Sequence, residues 1–153
     1  MLSIPLYDFI QMSVVSGLIA TTGMTLLLNA ITKSGIANAD MVRAVGSLFT
    51  RSLDNAAKTG IVIHYSVGLI FGFIYTFAIQ AFNVQSLLSN VGSGVLIGFI
   101  HGAVVAFLLV AAVAEHHPLK EFRQAGFSVA VAHWAAHLFY GLLVGIVLGL
   151  MKS

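Results

Sequence analysis

Six histidines and no cysteine occur in this chain of 153 residues. Four of them, His64, His101, His133 and His137, sit inside apolar runs, where ionisable side chains are costly and rare. The other two follow a carboxylate in Glu115-His116-His117, just ahead of the helix-stopping Pro118. Imidazole binds iron, zinc and copper, and a His-x-x-x-His pair such as His133 and His137 lies on one helical face, one turn apart, where both rings reach one ion. In helical bundles a facing helix completes such a site. The expected metal set is therefore His64, His133, His137, Glu115, His116 and His117, for iron, zinc or copper. A b-type haem takes its imidazoles from two helices. His64 with His137 is the first pair for it, and His101 with His137 the second.

Two other readings use the same residues. A line of imidazoles from His133 and His137 toward His101 could relay protons or pass a divalent cation, since histidine changes charge near neutral pH. Asp8 would mark the far mouth, and Ser13, Ser16, Thr21, Thr22 and Thr25 are the only hydroxyls helix 1 offers such a path. A membrane zinc hydrolase would need three ligands and a base, which His64, His133, His137 and Glu115 could supply. The structural alternative is that a histidine four residues before a glycine donates to a carbonyl of a closely packed helix, a contact worth about 0.6 kcal/mol. Trp134, Tyr65, Tyr75 and Tyr140 read as interface anchors or bundle hydrogen bonders. Phosphate loops and nucleophile elbows are missing from the sequence.

The elements that must position these groups are read from charge. The chain is 59% hydrophobic and 8% charged, against about 25% charged in a soluble domain. Residues 9–32, 59–114 and 124–151 contain no Asp, Glu, Lys or Arg, and a bilayer span needs about 20 such residues. The middle run breaks into two at the polar stretch 83–93. Four helices are predicted at 9–32, 59–81, 92–114 and 128–150. No period-two alternation suggests a barrel, so the fold class is an all-α integral membrane four-helix bundle, a single transmembrane domain over 1–153. Between the first two helices, Asp40 is a plausible N-cap, followed by Met41, Val45, Leu48, Phe49 and Leu53 at helical spacing. The segment 40–55 thus reads as an amphipathic interfacial helix.

Lys33, Arg43, Arg51 and Lys58 flank that segment, Lys120 and Arg123 precede the last helix, and Lys152 alone lies at the other side. The positive-inside rule places both charged loops in the cytoplasm and both termini outside. Ala37-Asn38-Ala39 has the form of a signal cleavage site, but the N-terminus lacks a basic region and its apolar run is too long, so helix 1 is expected to be retained. The net charge of +2 belongs to loops facing anionic lipid. The expected partners are the lipid bilayer and a second copy or a larger membrane complex, without nucleic acid; a cofactor-free accessory subunit is a further possibility.

Depth and packing follow from spacing. His64-x-x-x-Gly68-x-x-x-Gly72 matches His137-x-x-x-Gly141-x-x-x-Gly145, which suggests two parallel halves, and Gly94, Gly98 and Gly102 offer a further close-packing ridge. At about 1.5 Å per residue His64 lies roughly 8 Å below the start of its helix, level with His137, while His101 lies about 20 Å from the cytoplasmic end. His101 and Glu115, fourteen residues apart, are expected on one face. The stretches "SGLIATTGMTLLL" (16–28), "MVRAVGSLFTR" (41–51) and "HLFYGLLVGIVLG" (137–149) resemble small bacterial inner-membrane proteins of an uncharacterised four-helix family. The resemblance implies the four-helix architecture with a membrane-surface segment after helix 1, and no activity. His133 and Glu115-His116-His117 fall outside that pattern.

Overall fold

The long apolar runs become helices in the computed structural model, which describes residues 4–123 and 125–152. In chain order the elements are α1 (Leu6–Lys33), α2 (Met41–Thr50), α3 (Ala56–Ala81), α4 (Leu87–Leu108), a π-helical turn (Leu109–Ala114), α5 (Lys120–Arg123) and α6 (Phe127–Met151). The described residues contain no strand. Helices α1, α3, α4 and α6 are each long and apolar enough to cross a membrane.

Local chemistry sets the ends. Asp40 caps α2 by accepting from the Arg43 backbone N–H at 3.0 Å. Ser86 caps α4 by accepting from the Ser89 N–H at 3.1 Å, so α4 begins five residues before the expected position 92 and absorbs Asn90. On α2 the inward face is the small one: Gly46 and Ser47 are buried and Phe49 is 69% exposed, while Leu53, expected on the same helix, falls in the bend after its end at Thr50 and is 46% exposed.

The π turn corrects one expectation. Such a turn takes up an extra residue relative to an α-helix, so the repeat that would put His101 and Glu115 on one face is broken. Glu115 is exposed at the end of the bundle while His101 faces inward, half-buried.

Close approach of backbones fixes the packing. Helix α4 lies along α6, where a Cβ on Gly94 or Gly141 would collide with the other's carbonyl oxygen. Helix α3 lies along α1 through Gly68, Gly72 and Gly17, so the glycines of the His-Gly-Gly repeat serve helix pairing in both halves. α1 meets α6 through Ala20, Met24, Leu28, Tyr140, Val144 and Leu148. The start of α3 is crossed by α2, with Gly46 against the Ala56 carbonyl and Gly60 against that of Val42. By contrast α3 and α4 touch only sparsely, which leaves a seam between them.

Candidate functional site

The seam widens into a cavity of about 210 Å³ whose walls include His64, His101 and His137 together with Thr21, Phe71 and Tyr140. Each imidazole comes from a different helix, α3, α4 and α6. The rings of His101 and His137 have centres 4.6 Å apart and lie nearly perpendicular, at 78°. His101 is thus at the level of His137, and Phe71 stacks on its other side at 4.1 Å. The expected depths set these two apart; glycine-mediated contact of α4 with α6 brings them together, since Gly102 abuts His137 Cβ.

Hydrogen bonds fix most of the tautomers. His137 Nδ1 lies 2.7 Å from the His133 carbonyl oxygen, which can only accept, so Nδ1 carries the proton and Nε2 the lone pair. His64 Nε2 lies 3.1 Å from Thr25 Oγ1. That hydroxyl spends its proton on the Thr21 carbonyl at 2.7 Å, so His64 donates through Nε2 and keeps its lone pair on Nδ1. His101 Nδ1 meets the Tyr75 hydroxyl at 3.1 Å. Such a partner on the far nitrogen is what orients a ligating imidazole.

The interhelical bond foreseen from the His-Gly spacing forms at His64, which reaches the Thr25 hydroxyl on α1 rather than a carbonyl, and does not form at His137. His137 bonds within its own helix, and the carbonyl of Gly68 is bonded by the Tyr140 hydroxyl at 2.7 Å. Trp134 Nε1 donates to the Phe99 carbonyl at 3.2 Å, and Tyr65 donates to Thr22 at 3.0 Å, since the Thr22 proton goes to Leu18. Both aromatics are bundle hydrogen bonders.

The His-x-x-x-His pair divides between two cavities. His133 is 2% exposed, donates from Nδ1 to the Val129 carbonyl at 2.8 Å, and its Nε2 has no hydrogen-bond partner among the described residues. It lines a separate space of about 50 Å³ with His117, Asp40, Ala44 and Phe122, room for a water or two at about 30 Å³ each. Near the same space His117, fully buried, accepts from the Leu119 N–H at 3.1 Å and donates from Nε2 to the Ala44 carbonyl at 3.0 Å. With both ring nitrogens occupied, His117 is a clamp between the end of α4 and α2. His116 and Glu115 are exposed at that end. Among the described residues no three His, Asp or Glu stand together so as to hold a metal ion.

Metal and haem place different demands on the pair that does meet. A metal–nitrogen bond of about 2.0–2.1 Å puts each ring centre about 3.2 Å from the ion, so two imidazoles 90–109° apart have centres about 4.5–5.2 Å apart. The observed 4.6 Å lies in that range. Axial ligands on opposite faces of a haem iron need about 6 Å by the same arithmetic, and 210 Å³ falls short of the roughly 300–1,000 Å³ of pockets for larger ligands. The His101–His137 pair therefore has the spacing of two ligands to one small ion and not that of axial haem ligands.

A third cavity, of about 390 Å³, lies at the α2 end and is bounded by Asn29, Thr32, Lys33, Asp40 and Arg43, with His64 at its inner wall. Phe71, which shapes the inner space, carries no signal in the sequence; Met41 reads there only as part of the amphipathic segment, Thr25 as a helix 1 hydroxyl and Tyr75 as an anchor or hydrogen bonder. No family model, curated protein or solved structure matches the chain, so its site is interpreted from geometry alone.

Proposed function

We propose that this is a membrane protein that binds one divalent transition-metal ion inside its helical bundle, held by His101 and His137 through their Nε2 atoms. The observation that carries this reading is the 4.6 Å spacing of two perpendicular imidazoles whose Nδ1 atoms are tied to the His133 carbonyl and the Tyr75 hydroxyl. Imidazole suits zinc, copper or iron, and water completes the coordination within the cavity. In this reading α1, α3, α4 and α6 span the bacterial inner membrane with the α2 end cytoplasmic, as the basic residues of the two loops direct. The exposed Leu48, Phe49 and Leu53 then rest in the lipid interface.

The test is uptake of Co²⁺ by the purified protein in detergent, followed by visible ligand-field bands and elemental analysis. One ion per chain is expected, lost in His137→Ala and in His101→Ala. His133→Leu and His116→Ala should bind as the wild type does. A preparation that takes up no Co²⁺, or one in which His137→Ala binds normally, refutes the assignment.

A further inference from the structure

The imidazole cavity and the larger space at the α2 end share two walls, His64 and Met41. The outer space is a polar vestibule, edged by Asn29, Thr32, Asp40 and two cationic side chains, Lys33 and Arg43. The inner one is lined mainly by apolar groups around its three imidazoles. Between them the half-buried His64 ring is held across the boundary by a single side-chain hydrogen bond to Thr25 on α1. Beyond the inner cavity, away from α2, the bundle is closed: Tyr75, Ile79, Val144 and Leu148 are 0–1% exposed.

We propose that vestibule and inner cavity form one aqueous access path from the α2 end, closed at the opposite end and bordered sideways by the apolar α3–α4 seam where Val67 is exposed, with His64 as its gate and the Thr25 hydrogen bond as the latch. The path admits a small hydrated cation to His101 and His137. Its cargo rests on the metal reading; its existence does not. Two features favour a movable gate over a fixed wall. The ring is anchored at one nitrogen, and α3 is only sparsely packed against α4. Breaking the latch requires no rearrangement of the glycine contacts that hold the helices together.

The natural absence of cysteine allows a direct test in the full chain, reconstituted in vesicles of known sidedness. Single cysteines are placed on the inner wall, as Thr21→Cys and separately Met24→Cys, and on the vestibule, as Asn29→Cys. They are challenged with a membrane-impermeant cationic methanethiosulfonate. The inner cysteines should react from the α2 side alone, more slowly than Asn29→Cys. Adding Thr25→Val should speed them about fivefold to tenfold, the worth of one hydrogen bond, and adding His64→Trp should slow them by at least as much, while Asn29→Cys is unchanged by either. Reaction from both sides, no reaction even with His64→Ala, or rates indifferent to Thr25 and His64 would overturn the gate. The metal reading is scored separately by whether Zn²⁺ shields the inner cysteines, so one proposal can fail while the other stands.

Discussion

Gly98→Ala tests the contact on which the imidazole pair depends. A Cβ at Gly98 would lie 2.6 Å from the His137 carbonyl oxygen, a backbone atom that cannot rotate away. Ordinary contact begins near 3.4 Å, so α4 and α6 must part by about 0.8 Å. Overpacking of this kind costs about 1–3 kcal/mol. Against it stands the gain from replacing a helical glycine by alanine, about 0.5–1 kcal/mol. The gain is isolated by Gly92→Ala, on the same helix, where an added Cβ meets nothing within 4 Å. The difference between the two variants therefore removes the intrinsic term, and Gly98→Ala should be less stable than Gly92→Ala by about 1–3 kcal/mol. Reversible unfolding in mixed detergent–SDS micelles, followed by circular dichroism, measures both. The same displacement carries His101 away from His137, so Co²⁺ affinity should fall in Gly98→Ala and not in Gly92→Ala. Equal stability of the two, within about 0.5 kcal/mol, would show that the α4–α6 contact is looser than described and would remove the basis for the 4.6 Å pair.

Other outcomes follow from single contacts. Tyr140→Phe removes the hydroxyl that bonds the Gly68 carbonyl and should cost about 0.6–1.5 kcal/mol in the same unfolding assay. Asp40→Ala deletes the cap of α2 and should cost about 0.5–2 kcal/mol, seen as loss of hydrogen-exchange protection at the Arg43 amide. The 3.7 Å pair of Asp40 with Arg43 is exposed and adds little. Lys152 donates to the Val84 carbonyl and to Asn90 Oδ1, and burial lowers its pKa below the ordinary 10.5. In the window just below that value the unfolded chain holds more protons than the folded one, so stability should rise with pH as Lys152 discharges. Lys152→Met should flatten that rise, as unfolding midpoints across the alkaline range would show.

What the sequence made legible was decided by free-energy terms that are local. Runs without charge must be helices in lipid because every backbone group has to be bonded within the segment, and the four long helices follow from that alone. The Asp40 cap is local too. The partners of each histidine are not, since they depend on how two helices rotate about one another. His101 meets His137 because Gly98 and Gly102 let the backbones approach, and spacing within one helix cannot show which neighbour those glycines face. The π turn at Leu109–Ala114 has no signature in residue type, yet it turns Glu115 away from His101 and sends His117 under α2. The His-x-x-x-His spacing put His133 and His137 on one ridge, as it must. Their chemistry diverges because α2 and the π turn close a small space over one, while α3 and α4 gape over the other.

The uneven packing of the helices also distributes stiffness. His101 and His137 ride on the two helices packed backbone to backbone, the pairing that resists relative displacement most. His64 rides on α3, which is held to α1 by Gly17, Gly68 and Gly72 but touches α4 only sparsely, so its distance from the pair changes when α3 shifts against α4. On the proposed reading the protein has a rigid pincer and a separate, more compliant third finger, and a bilayer that squeezes or relaxes the seam would set how often that finger lifts.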